Sequence, residues 1–241
     1  MNYHRSQKKL FVNGIKNMND KDHILNSIID ALKRKDKLQA SDSALLKPID
    51  QVLPSVPSEP EALIEMFRKN SDSLKAEFYI AKSKADAKDY LIHLKNQESW
   101  KKIASHKGSI VRQIIEPLDL PLYWTDDGYD VHELAKCDAG ITECDALVAQ
   151  TGSIMLTSRT AGGRALSVLP PHHIVIATRS QLVPDLPTAL QIVRQRFSNN
   201  YPSMISFITG PSRTGDIERI LVYGAHGPVK LTIIMIWNDQ G

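Results

Sequence analysis

Near the end of the 241-residue chain, the run Thr209-Gly210-Pro211-Ser212-Arg213-Thr214-Gly215-Asp216 gathers residue types able to bind an anion. Gly210 opens backbone conformations closed to other residues and Pro211 fixes the next φ, so the run reads as a turn with exposed amides. Ser212 and Thr214 can donate hydroxyls to a ligand or cap a helical turn. Arg213 offers a fork of donors matched to a carboxylate or phosphate. Two readings stand side by side. Either the run is an anion nest with Arg213 as clamp, or Arg213 pairs with Asp216 at the surface while a hydroxyl merely caps the turn.

His226 lies between Gly224 and Gly227, where neighbouring side chains build no wall around it. It is a candidate general base or acid, with Asp216 the second candidate catalytic residue; the alternative is a loop histidine donating to a carbonyl. The two segments meet only if the chain between them folds back. Thr151-Gly152-Ser153 is a third candidate, since small residues in a tight turn let a ligand approach the backbone. Arg164, after Gly162-Gly163, is a second candidate carboxylate clamp on a polar loop. His172 and His173 are adjacent, so strand alternation would send one to the core and the other to solvent or a cleft. With no third ligand nearby they are weak evidence for zinc; His226 could complete such a site in space, and no metal ligand is assigned.

These residues need elements to hold them. Apolar residues at helical spacing from Asp20, the expected N-cap, predict a helix ending near Lys37. Pro48, Pro54, Pro57 and Pro60 then mark a linker or wrapping arm over 39–60. Helices are expected over 60–70, 84–96, 108–115 and 189–197. Strands are expected over 76–80, 146–150, 154–157, 174–177, 205–208 and 229–237, with a tight turn at 151–153. Tyr123 and Trp124 fall in a stretch that reads as loop. This alternation predicts an α/β domain over 60–241, preceded by a helical arm and Pro-rich linker over 1–59.

With 42% hydrophobic and 24% charged residues the composition is that of a folded soluble protein. A net charge of +3 makes no electrostatic case for nucleic acid. No apolar run reaches membrane-spanning length, and no secretory pattern is present, so a cytoplasmic protein is expected. Cys137 and Cys144 are the only cysteines. Two thiols are too few to hold a four-thiolate metal site or an iron–sulfur cluster alone, and both are expected reduced. Neither a GxGxxG fingerprint nor a P-loop is present.

Five segments together resemble the LUD-domain family, and within it the lactate-utilisation protein C branch. They are Gly140-Ile141-Thr142, Ala149-Gln150-Thr151-Gly152-Ser153-Ile154, Pro170-Pro171-His172-His173-Ile174-Val175, the run from Thr209 through Glu218, and Gly224-Ala225-His226-Gly227-Pro228. The resemblance spans about residues 138–236. It implies a fold like that of the NagB/RpiA/CoA-transferase group, with a mostly parallel sheet. It also implies a role as the component without a cluster in a system that oxidises L-lactate to pyruvate, beside iron–sulfur partner subunits. The family commonly has Glu before the Thr-Gly pair, where this chain has Gln150. Glutamine can form no acyl anhydride, which disfavours CoA-transferase chemistry here. Glu143 is a distant substitute and reads as a surface acid. The competing reading is a stand-alone enzyme, acting on a small carboxylate or nucleotide-linked substrate with His226 as base.

Overall fold

The computed structural model describes residues 20–33, 53–198, 200–214, 222–224 and 226–238. The chain divides into two units, residues 1–52 and 53–241. In the first, α1 (Asp20–Lys33) leaves Ile24, Leu25, Ile28 and Ile29 exposed, and the expected helix end near Lys37 lies outside the described residues.

The second unit is built on six strands, all parallel: β1 (Glu77–Ala81), β2 (Ile103–Ser105), β3 (Leu122–Trp124), β4 (Ala139–Glu143), β7 (His172–Thr178) and β12 (Lys230–Ile236). Their order across the sheet is β1-β12-β7-β4-β2-β3. A parallel sheet is covered on both faces, so its central strands read as continuous apolar runs. On one face, Ile174, Ile176, Ile234 and Ile236 pack with Ile103 and Ile141 beneath α3 (Lys84–Glu98) and α4 (Ser109–Ile115). On the other, Val175, Ala177, Ile233 and Met235 pack against α2 (Pro60–Ser73) and a small second sheet. That sheet contains β8 (Leu182–Val183), β5 (Ala146–Val148), β6 (Ser153–Thr157) and β9 (Ile205–Ile208), in that order. Its far side, through Ala146, Val148 and Met155, is covered by Ala189 and Val193 of α6 (Leu186–Arg196). A short helix, α5 (Val131–Leu134), precedes β4, and a two-stranded ladder joins β10 (Arg213–Thr214) to β11 (Val222–Tyr223).

Local signals set the helix limits. Pro60 opens α2 from its first turn, and Ser83 caps α3 by accepting from Asp86 N. Asp185 caps α6, accepting from Thr188 N at 2.8 Å, so that helix starts before Pro187 and not at Ala189. Two expectations are corrected. Tyr123 and Trp124 belong to the edge strand β3, too short for a periodic signal. His172 and His173 are both buried, because both faces of β7 are covered.

Candidate functional site

The segments of the sequence signature meet at the amino edge of the parallel sheet. Pro228 and Val229 lead into β12, and Val229 N donates to Pro171 O, just before β7. Ser212 N donates to Pro228 O at 2.8 Å, and Gly224 N donates to Ser212 O at 2.9 Å. Arg213 pairs in register with Tyr223, so the chain does fold back and bring the 209–214 and 222–228 segments together. The Thr151-Gly152-Ser153 turn joins them, since Ser153 and Thr209 share a hydroxyl hydrogen bond of 2.8 Å.

Glycine is required at two points of this junction. Gly152 has φ +64°, and a Cβ there would lie 2.7 Å from Ser71 N at the end of α2. Gly210 has φ +96°, and its Cβ would lie 2.6 Å from Leu74 O. Both turns therefore seat directly on α2. Asn70 completes the seat, donating from Nδ2 to Ala149 O and Gln150 O. Gln150 Nε2 donates to Pro54 O at 2.8 Å, a bond that a carboxylate could not make. Gln150 Oε1 and Thr151 Oγ1 are buried without a partner.

Beside this framework Arg213 and His226 are exposed and Ser212 is half-buried. Among the described residues, no ion pair engages Arg213. The Ser212 amide is already bonded within the junction and so is not free to line an anion nest. Thr214 lies in β10, and Asp216 lies outside the described residues. Arg164 is not brought to this place. Its Nε donates to Ser203 Oγ, which bonds Ser158 Oγ, at the end of the β6–β9 ladder opposite Ser153 and Thr209.

A second polar centre, not anticipated from the sequence, occupies the carboxyl edge. The chain turns outward after β2 toward β3 and the opposite way after β4 toward β7, so the loops following β2 and β4 diverge. Ligands of open α/β sheets favour such a crevice. Here His106 is buried, and its Nε2 accepts from Glu143 N at 3.0 Å. The neutral ring therefore carries its proton on Nδ1. Burial holds its pKa below the usual histidine value, against the opposing pull of Glu143 and Asp126. Glu143 is not the surface acid expected: Oε1 accepts from Ile110 N at 2.8 Å and Val111 N at 2.9 Å, capping α4 from another strand. Gly108 fits between these groups, its Cβ position only 2.4 Å from Glu143 Oε1. Nearby, the buried Asp145 carboxylate accepts from Arg196 Nη1 and Thr160 Oγ1, each at 2.5 Å. No sequence signal pointed to this centre, because β2, which ends just before His106, is three residues long and carries no period.

The two adjacent histidines have a structural setting. Thr232 Oγ1 donates to Glu77 Oε2, so His172 Nε2 must donate to Thr232 Oγ1. His173 Nε2 meets Thr142 Oγ1 at 2.9 Å, and neither Nδ1 has a partner. Burial lowers the two pKa values to about 4 and about 3. Cys137 and Cys144 are free and buried, with thiol pKa values raised by desolvation. Among the described residues, no cluster of three or more His, Cys, Asp or Glu is placed to hold a metal. Nor, among them, is any helix long and apolar enough to cross a membrane.

Residues 129–236 match the LUD domain family. Lactate utilization protein C of Bacillus subtilis is 38% identical over 109 residues, covering 44% of this chain and 45% of that protein. The protein of the same name from a Geobacillus species is 35% identical over 127 residues, 47% of this chain and 53% of its own length. The matches thus span about half the length of these relatives. Among solved structures, a DUF162 family protein from Deinococcus radiodurans superposes with a TM-score of 0.58 at 18% identity, covering 75% of this chain and 99% of that one. It shares the fold. The segments that converge on the amino edge lie inside the matched region, residues 129–236, which matches the LUD domain and is similar to lactate utilization protein C.

Proposed function

We propose that this protein is the component without a cluster in a cytoplasmic system oxidising L-lactate to pyruvate, working beside iron–sulfur partner subunits. Its amino-edge loops bind a small carboxylate or similar anion in this reading. Kinship with the NagB/RpiA/CoA-transferase group is part of the same proposal, resting on the parallel sheet and its order. The observation that carries the reading is the convergence of the 209–214 and 222–228 segments, tied by Ser212 N to Pro228 O and Gly224 N to Ser212 O. That junction leaves Arg213 exposed, able to meet a carboxylate through two parallel donors.

Binding of lactate and pyruvate to the purified chain, with a pull-down from native extract followed by iron analysis, tests both halves. Co-purification of iron-bearing subunits and a saturable carboxylate signal that Arg213→Ala weakens about tenfold are expected. Oxidation of lactate by the chain alone, with an acceptor dye, would overturn the accessory role and favour the enzyme with His226 as base. Undiminished binding by Arg213→Ala would remove Arg213 from the site.

A further inference from the structure

A cleft distinct from the signature loops runs along the lateral edge strand of the parallel sheet. It has a volume of about 670 Å³ and lies between the outer face of α4 and the edge strand β3. Ser109, Arg112, Gln113 and Glu116 recur at helical spacing along one wall, and Leu122 and Trp124 supply the apolar one. Lys107 also lines it. Volumes of this size suit small-molecule ligands, and the mixture of an apolar wall with a few polar groups is what such sites use.

The charges select among ligands. Lys107 Nζ is already held by Asp127 Oδ2 at 2.6 Å, and Glu116 is an acid within the wall. No described residue pairs with the Arg112 guanidinium, which leaves it as the available anchor for a negative group. Trp124 is half-buried against the core below α4, so its ring is fixed by packing while part of it stays open to the cleft. A fixed indole and an exposed guanidinium without a partner among the described residues favour a flat ring that carries an anionic substituent, held by stacking at one end and charge at the other. Glu116 disfavours highly charged ligands. The α4 amides at Ile110 and Val111 are closed to any ligand because Glu143 takes them.

We propose that this cleft binds a planar, singly or doubly anionic small molecule of the mononucleotide class, with Trp124 as ring platform and Arg112 as anion anchor. None of its lining residues belongs to the segments that carry Arg213 and His226, so its test is separate from that of the carboxylate site. Adenosine monophosphate is titrated into the full-length ¹⁵N-labelled chain while the Trp124 indole N–H is followed by NMR, assigned through its loss in Trp124→Leu. Saturable displacement of that signal is expected, weakened about tenfold in Arg112→Gln, with inorganic phosphate about tenfold weaker than the nucleotide. Arg112 is exposed, so its replacement leaves the fold intact for the comparison. Absence of saturable displacement at about 10 mM overturns the proposal. So does undiminished binding by Arg112→Gln, and so does phosphate binding as tightly as the nucleotide.

Discussion

The two edges of the parallel sheet are assembled by different means. At the amino edge the junction is mostly main chain: Ser212 N to Pro228 O, Gly224 N to Ser212 O, and two glycines seated on the end of α2. The candidate ligand-binding and catalytic side chains there, Arg213 and His226, are exposed. At the carboxyl edge the side chains are themselves the framework. Glu143 caps α4, His106 accepts from the Glu143 amide, and Asp145 holds Arg196 and Thr160. Close backbone approach demands particular small residues in a row and therefore leaves a contiguous motif. A network collected from four separate stretches of chain leaves none. A recognisable signature thus marks where the backbone is most constrained, which need not be where side-chain chemistry is densest.

The sharpest test of this contrast is one substitution made at both edges. Gly152→Ala combines a positive φ with a Cβ 2.7 Å from Ser71 N and 2.8 Å from Asn70 C, neither of which can swing aside. A loss of about 3 kcal/mol or more in urea unfolding is expected. Gly108→Ala also creates a short contact, 2.4 Å, but its neighbours are the Glu143 carboxylate and the His106 ring. Those side chains can rotate at the expense of the α4 cap, so a loss of about 1–2 kcal/mol is expected. Equal losses would break the distinction between a main-chain edge and a side-chain edge.

A second expectation concerns acid. His172 and His173 are buried neutral near the amino edge, with pKa values of about 4 and about 3 against an unfolded value of about 6.5. The unfolded chain therefore binds more protons below about pH 6.5, and stability falls as pH drops toward the folded values. His172 alone accounts for a loss of about 3 kcal/mol between pH 7 and pH 4. Urea midpoints measured across that range should show the decline, and His172→Gln should flatten it. A slope unchanged by the substitution would mean that other groups carry the acid response.

Periodic segments were legible in the sequence and short or small-residue ones were not. β9 was expected over 205–208 and is observed at Ile205–Ile208, while β12 and α3 each differ from expectation by no more than two residues at an end. β2 escaped because three residues carry no period, and β4 because Gly140 interrupts it. Gly140 is there for closeness: a Cβ would lie 2.4 Å from Leu166 O. The contact between 209–214 and 222–228 depended on a ladder, β10 with β11, of two residues each. His106 and Glu143 were separable from ordinary surface residues only by knowing that β2 and β4 are neighbours. That neighbourhood is a product of tertiary topology, which no local pattern encodes.

The smaller effects bear on the same comparison. Glu143→Ala removes the only described side-chain acceptor for Ile110 N and Val111 N, so a loss of about 1 kcal/mol is expected. It also removes a charge that raises the His106 pKa, so the ring should titrate lower still, as followed by NMR. Arg213→Ala is expected to change stability by less than about 0.5 kcal/mol, because the side chain is exposed and no described residue pairs with it. A residue that contributes nothing to folding yet sits beside a rigid junction is free to serve a ligand, and carboxylate binding is where its loss should be felt. Urea unfolding and lactate titration of the same variant separate the two. If stability fell by about 1 kcal/mol or more while binding held, Arg213 would belong to the framework, and the amino edge would resemble the carboxyl edge after all.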